Sequence, residues 1–134
     1  MLQRAIYVSD ATGEAGSNLL SLVQILGVSD ANNRRDHLTG VLLVHGGQFL
    51  QAIEGRRTDL DRLIRRLKAD PRHSSLRFLV DGPAESRNHG EAPMVRLQLN
   101  AEAHEILGDD ALSDLGLERA EALLRAAATH IAAA

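Results

Sequence analysis

The sequence contains no cysteine and no tryptophan, and its aromatic side chains are Tyr7, Phe49 and Phe78 alone. Without cysteine there can be no disulfide, thiolate metal site, thiol nucleophile or cysteine adduct. A basic excess is also missing. Lys and Arg number 15 against 18 Asp and Glu, a net charge of −3, so no overall positive field draws nucleic acid. No apolar run approaches the roughly 20 residues that span a bilayer, and the N-terminus lacks the long apolar core of a signal peptide. A cytoplasmic protein with no membrane partner is expected. The histidines, at 37, 45, 73, 89, 104 and 130, show no metal-ligand spacing, so no metal is expected. There is no glycine-rich phosphate loop either, since Gly46-Gly47 fits a hairpin turn.

What is present reads as one globular domain with 44% apolar and 25% charged residues in a chain of 134. Residues 2–9 alternate apolar and polar, the pattern of a strand. Leu19, Leu22, Val23, Ile25 and Leu26 recur at helical spacing, and that helix is predicted to end near Asn32 and Asn33. Residues 41–45 and 48–54 form a predicted hairpin about Gly46-Gly47. Leu60, Leu63, Ile64 and Leu67 form the stripe of a second helix, stopped by Pro71. Strands at 75–81 and 94–99 follow, separated by a loop from Gly82 to Pro93. The basic cluster from Arg56 to Lys68 is interleaved with acids and reads mostly as a solvated helix face.

The order β-α-β-β-α-β-β is an α+β, ferredoxin-like pattern with one added strand. The run Val41-Leu42-Leu43-Val44 has no polar face, so both faces of the sheet need a cover. Two helices can cover only one. The tail supplies the other: a short helix at 103–107 and a longer amphipathic one marked by Ala120, Leu123, Leu124, Ala127 and Ile131. Residues 100–134 are therefore expected to be a helical extension packed on the sheet, with no room for an enzymatic output domain.

Four segments carry a resemblance. They are Ile6-Tyr7-Val8-Ser9; Ala31-Asn32-Asn33 with Leu38-Thr39-Gly40; Gln48-Phe49-Leu50-Gln51-Ala52-Ile53-Glu54-Gly55; and Asp70-Pro71-Arg72-His73. Each is weak alone, but their order and spacing are specific. Over residues 1–99 the chain resembles the BLUF family, sensors of blue light using FAD. The resemblance implies a flavin-binding domain at 1–99 that turns over no substrate. The cofactor is FAD, with FMN or riboflavin not separable from it. A downstream protein partner and a homo-oligomer, through the tail or the outer sheet face, are also expected.

Residue by residue, the resemblance makes Tyr7 the redox-active tyrosine, Asn33 the asparagine on the flavin carbonyl and Gln51 the switching glutamine. Asn32 lines the ring beside Asn33. Arg66 and Asp70 contact the pyrimidine side or ribityl chain, with Arg72 and His73 completing the rim. Tyr7 and Gln51 are thus the photochemical pair, and alternation along their strands lets them share a face. Near the last strand the chain departs from the family. Arg87 and Met94 are kept, but His89 stands at a usually aromatic position and Ala92 where a tryptophan is usual, so signalling through Ala92 and Met94 takes an altered route.

The bland readings are a packed strand tyrosine, an Asn-Asn helix cap and an Arg66–Asp70 surface ion pair. Gln51 resists such a reading, because it alternates with Phe49 and Ile53 on a face that should be buried, and a buried amide needs partners. Two alternatives stand beside the photoreceptor: a flavin-free ferredoxin-like interaction module without photochemistry, and a small enzyme. Tyr7, Asn33 and Gln51 are a poor acid–base set, which disfavours the enzyme.

Overall fold

The computed structural model describes residues 2–11, 31–69 and 73–132. The predicted first helix lies outside these residues apart from a helical stretch at 31–35. The strands are β1 (Leu2–Ala11), β2 (Thr39–His45), β3 (Gln48–Arg56), β4 (His73–Pro83) and β5 (Val95–Leu97). Helix α1 covers Arg57–Ala69, α2 Ala101–Leu107 and α3 Leu117–Ala132, with a 3-10 turn at Leu112–Asp114 between the last two. The sheet order is β4-β1-β3-β2-β5. Its pairs are antiparallel except β2 with β5, which is parallel. This is the expected α+β architecture with the extra strand at one edge. β4 runs two residues further than predicted, to Pro83, and β5 is shorter, because Met94, Gln98 and Leu99 lie outside the ladder.

Strand alternation divides the core in two. Ala5, Tyr7 and Ile53 point to the face where Leu38 and, from α1, Leu60 and Leu63 pack. Ile6, Val8, Val41, Leu43, Leu50 and Ala52 point to the other face. There they meet Ala103 and Leu107 of α2, Leu112 of the 3-10 turn, and Leu123, Leu124 and Ala127 of α3. The apolar run in β2 is continuous because both faces are covered.

Local chemistry holds these layers in place. Gly46 and Gly47, at φ of 59° and 73°, close a two-residue hairpin with His45 opposite Gln48; a primed turn of this kind matches strand twist and needs positive φ. Asn100 caps α2 by accepting from the Ala103 N–H at 2.8 Å, and its Nδ2 donates to the Ala126 carbonyl at 2.8 Å, joining α2 to α3. Arg119 of α3 closes the other end of α2, donating to the carbonyls of Ile106 at 2.9 Å and Leu107 at 2.8 Å.

Candidate flavin site

Tyr7 and Gln51 stand directly opposite each other on the central strands β1 and β3. Both are buried, Tyr7 at 1% and Gln51 at 6% exposure. The Tyr7 hydroxyl donates to Gln51 Oε1. Gln51 Nε2 faces the Met94 sulfur at 3.6 Å. The Tyr7 ring leans on Phe78 of β4, with centroids 5.7 Å apart and planes tilted 56°. A phenol and an amide thus form one buried unit, with the amide donor turned to a weak sulfur acceptor.

Asn33 is fully buried in the middle of the 31–35 helical stretch. Its Nδ2 donates to the Pro93 carbonyl at 2.8 Å, while its Oδ1 has no partner among the described residues. An unpaired buried acceptor costs about 1–3 kcal/mol, so this atom is suited to a ligand N–H. Asn32, partly exposed, sits next to Asn33, and its carbonyl accepts the Asp36 N–H at 3.1 Å.

Tyr7, Asn33, Gln51 and Met94 are therefore brought together, Asn33 through its bond to the residue before Met94. The rim is described less completely. Asp70 and Arg72 lie outside the described residues, and so does the side chain of His73, whose backbone pairs with Ala11. Arg66 points to Asp36, with its guanidinium nitrogens 3.4 and 3.5 Å from Oδ2. Ala92 is exposed, and its carbonyl accepts the Gly40 N–H at 3.1 Å. A Cβ on Gly40 would lie 2.5 Å from the Ala52 carbonyl oxygen, so the backbone needs glycine there.

Two buried acids were not singled out from the sequence. Asp36 accepts from Arg35 at 3.1 Å and Arg62 at 2.9 Å, besides its contact with Arg66. The hydrogen bond from Arg35 holds its carboxyl below the usual carboxylate range against the opposing effect of burial, with the charges of Arg35, Arg62 and Arg66 adding to the lowering. Arg62 and Arg66 of the basic cluster thus turn to one buried acid, while Arg56 and Arg57 pair with Asp59, Asp61 and Asp81. Glu54, fully buried in β3, accepts from Arg4 Nε at 2.9 Å and from the backbone N–H groups of Asn88 and His89. It anchors the loop between β4 and β5 to the sheet. The only sequence signal for Glu54 was its place within the Gln48–Gly55 segment.

A family model for BLUF, sensors of blue-light using FAD, matches residues 2–95. The chain belongs to the BLUF family. Photoactivated adenylate cyclase subunit beta of Euglena gracilis is 34% identical over 90 residues, 67% of this chain and 10% of that protein. The chain thus spans about a tenth of that relative's length. The dark-state structure of BlrB, a BLUF protein, superposes with a TM-score of 0.78 at 28% identity, covering 93% of this chain and 96% of that one. The photo-activated state of BlsA gives a TM-score of 0.86 with 96% of each chain covered. At 21% identity that likeness speaks for the fold alone. A BLUF domain is a flavin-using blue-light sensor, and the ferredoxin-like sheet found here is the one its solved relatives share.

No described helix is long and apolar enough to cross a membrane.

Proposed function

We propose that residues 1–99 hold a flavin, FAD by preference, against Tyr7, Gln51, Asn33 and Asn32, and that Tyr7 and Gln51 form the light-driven switch. Arg66, Asp70, Arg72 and His73 are assigned to the rim, and residues 100–134 to a helical extension that carries the output. The observation that carries this reading is the buried Tyr7–Gln51 hydrogen bond beside the unpaired Asn33 Oδ1. The donor set fits the ring. The open Asn33 acceptor suits its imide N–H, and the Gln51 amide donor suits its O4 and N5 acceptors. Here the residues refine the expectation from resemblance. Asn33 already gives one N–H to Pro93, so its open capacity includes an acceptor as well as a donor aimed at a carbonyl.

A bound oxidised flavin supplies a blue-light absorber and an electron acceptor. Tyr7 is the electron donor, and its phenol proton leaves along the existing bond to Gln51 Oε1. When the electron and the proton both return to Tyr7, Gln51 would be left rotated or tautomerised, its amide donor free to bond more strongly toward the ring edge. The arrangement seen here favours this, because Gln51 Nε2 lies against the sulfur of Met94, a weak acceptor that is readily given up. Met94 and Ala92 then feel the change first. The partner is a protein effector, in line with the cyclase named in the Euglena relative, and the chain associates with copies of itself.

The test is direct. Protein purified with ample flavin should be yellow and release flavin on denaturation, and blue light should shift its absorption to the red. A preparation that takes up no added FAD, FMN or riboflavin would leave the flavin-free interaction module as the better reading. Gln51→Leu should keep flavin and lose the red shift, because an aliphatic side chain cannot bridge phenol and ring. An unchanged light-minus-dark spectrum in that variant would remove Gln51 from the switch.

A further inference from the structure

Arg4, Glu54 and Thr39 form a row across three neighbouring strands, since Glu54 of β3 stands opposite both Arg4 of β1 and Thr39 of β2. All three hold the loop that joins β4 to β5. Arg4 Nη2 donates to the Ser86 carbonyl at 2.8 Å. The Arg87 guanidinium donates to Thr39 Oγ1 and to the Glu54 carbonyl, the latter at 3.0 Å. The Glu54 carboxylate accepts from the Asn88 N–H at 2.9 and 3.0 Å and from the His89 N–H at 2.9 Å, with Arg4 as its counter-ion at 2.8 Å. By strand alternation Arg4 and Glu54 lie on the face of Ile6 and Ala52, which the tail covers. The loop ends on the opposite face, where Met94 packs against the cluster of Tyr7 and its sulfur lies 3.6 Å from Gln51 Nε2.

We infer that Glu54 is a positioning residue for the switch: its carboxylate fixes the loop at Asn88 and His89, and that grip sets where the Met94 sulfur lies against the Gln51 amide. A fully buried carboxylate needs its charge and its lone pairs met. One guanidinium and two loop N–H groups meet them here, through charge-assisted bonds that are stronger than neutral ones. Pairing within the sheet needs no charge at this position, and an apolar side chain would be buried there without the desolvation penalty. The hold on the loop is therefore what a carboxylate at this position achieves. Beyond His89 the loop is attached through the Ala92 carbonyl to the Gly40 N–H and through the Pro93 carbonyl to Asn33 Nδ2. The second of these shares Asn33 with the proposed flavin contact, and β5 has only three residues. The charged grip at Glu54 is thus the strongest fixed point from which Met94 is set. The inference rests on the proposed Tyr7–Gln51 switch and adds the group that holds its sulfur neighbour in place.

Glu54→Gln on the full chain tests it, because the amide keeps the shape but leaves one acceptor oxygen for donors that now share two. Flavin uptake should match the parent's, since Tyr7, Asn33 and Gln51 are untouched. Hydrogen exchange at the Asn88 and His89 amides should speed up by about tenfold or more. The NMR cross-peak between the Met94 methyl and the Gln51 side-chain amide should weaken. In the flavin-loaded protein the red-shifted state should revert roughly two- to tenfold more slowly, the range of one net hydrogen bond, because the sulfur is no longer held where the returning amide bonds it. Glu54→Asp, which keeps the charge and shortens the reach, should move all three readings the same way. In a Met94→Ala background Glu54→Gln should alter the reversion no further, a non-additivity that a merely structural role would not produce. Unchanged exchange and an unchanged cross-peak in both Glu54 variants would overturn the grip. A loosened loop with reversion at or above the parent's rate, or equal slowing in both backgrounds, would overturn the link to Gln51. A parent that takes up no flavin or gives no red shift would count against the proposed switch instead, and exchange and cross-peak would then still decide whether Glu54 seats Met94.

Discussion

Tyr7→Phe is expected to bind flavin and yet form no normal red-shifted state. Tyr7 is the only tyrosine in a chain that has no tryptophan, so no second aromatic donor of comparable ease stands by. The substitution keeps the ring that packs against Phe78 and takes away only the hydroxyl that bonds Gln51 Oε1. Without the donor, quenching of the excited flavin should slow, giving brighter emission and a longer lifetime. Leaving Gln51 Oε1 unpaired in a buried site should also lower stability by about 1–3 kcal/mol. Light-minus-dark spectra, taken with emission lifetimes on variant and parent side by side, provide the check. A variant that makes the same red-shifted product in similar yield would show that switching does not use the phenol.

Deleting residues 101–134 should have the largest effect on the folded state. The deletion uncovers Ile6, Val8, Leu43 and Leu50, each at most 2% exposed on the face that α2 and α3 cover. Full burial of such a side chain contributes about 1.5–3 kcal/mol. Four of them together weigh as much as the roughly 5–15 kcal/mol total stability of a typical domain. The truncated protein should aggregate, or associate through the bared sheet face. Light scattering and thermal unfolding decide the matter. A monomer with the parent's melting temperature would show that the tail adds nothing to the core.

Under the proposed function, the same face is the route by which a change at Gln51 would reach the tail. Odd-numbered positions of β1 and β3 serve the proposed flavin site and even-numbered positions serve the tail, so Gln51 has on either side, in Leu50 and Ala52, residues that belong to the tail-facing core. The loop from Arg87 to Met94 touches Gln51, Asn33 and Glu54, and it lines one cavity together with residues of α3.

By itself the sequence determined the alternation, the glycine pair at the hairpin and the helical stripes. These are local properties with fixed periods of two and 3.6 residues, which is why the succession of strands along the chain, the face shared by Tyr7 and Gln51, and the need for a second cover over Val41–Val44 were legible. The ordered motifs determined the family. The tertiary structure decided which polar groups meet. Glu54 is 34 residues from Asn88, Asp36 is 26 from Arg62, and Asn33 is 60 from Pro93. No periodicity links such positions. Their partners are chosen only when the sheet and helices close around them and each buried polar atom must find a bond or, like Asn33 Oδ1, be left without one among the described residues.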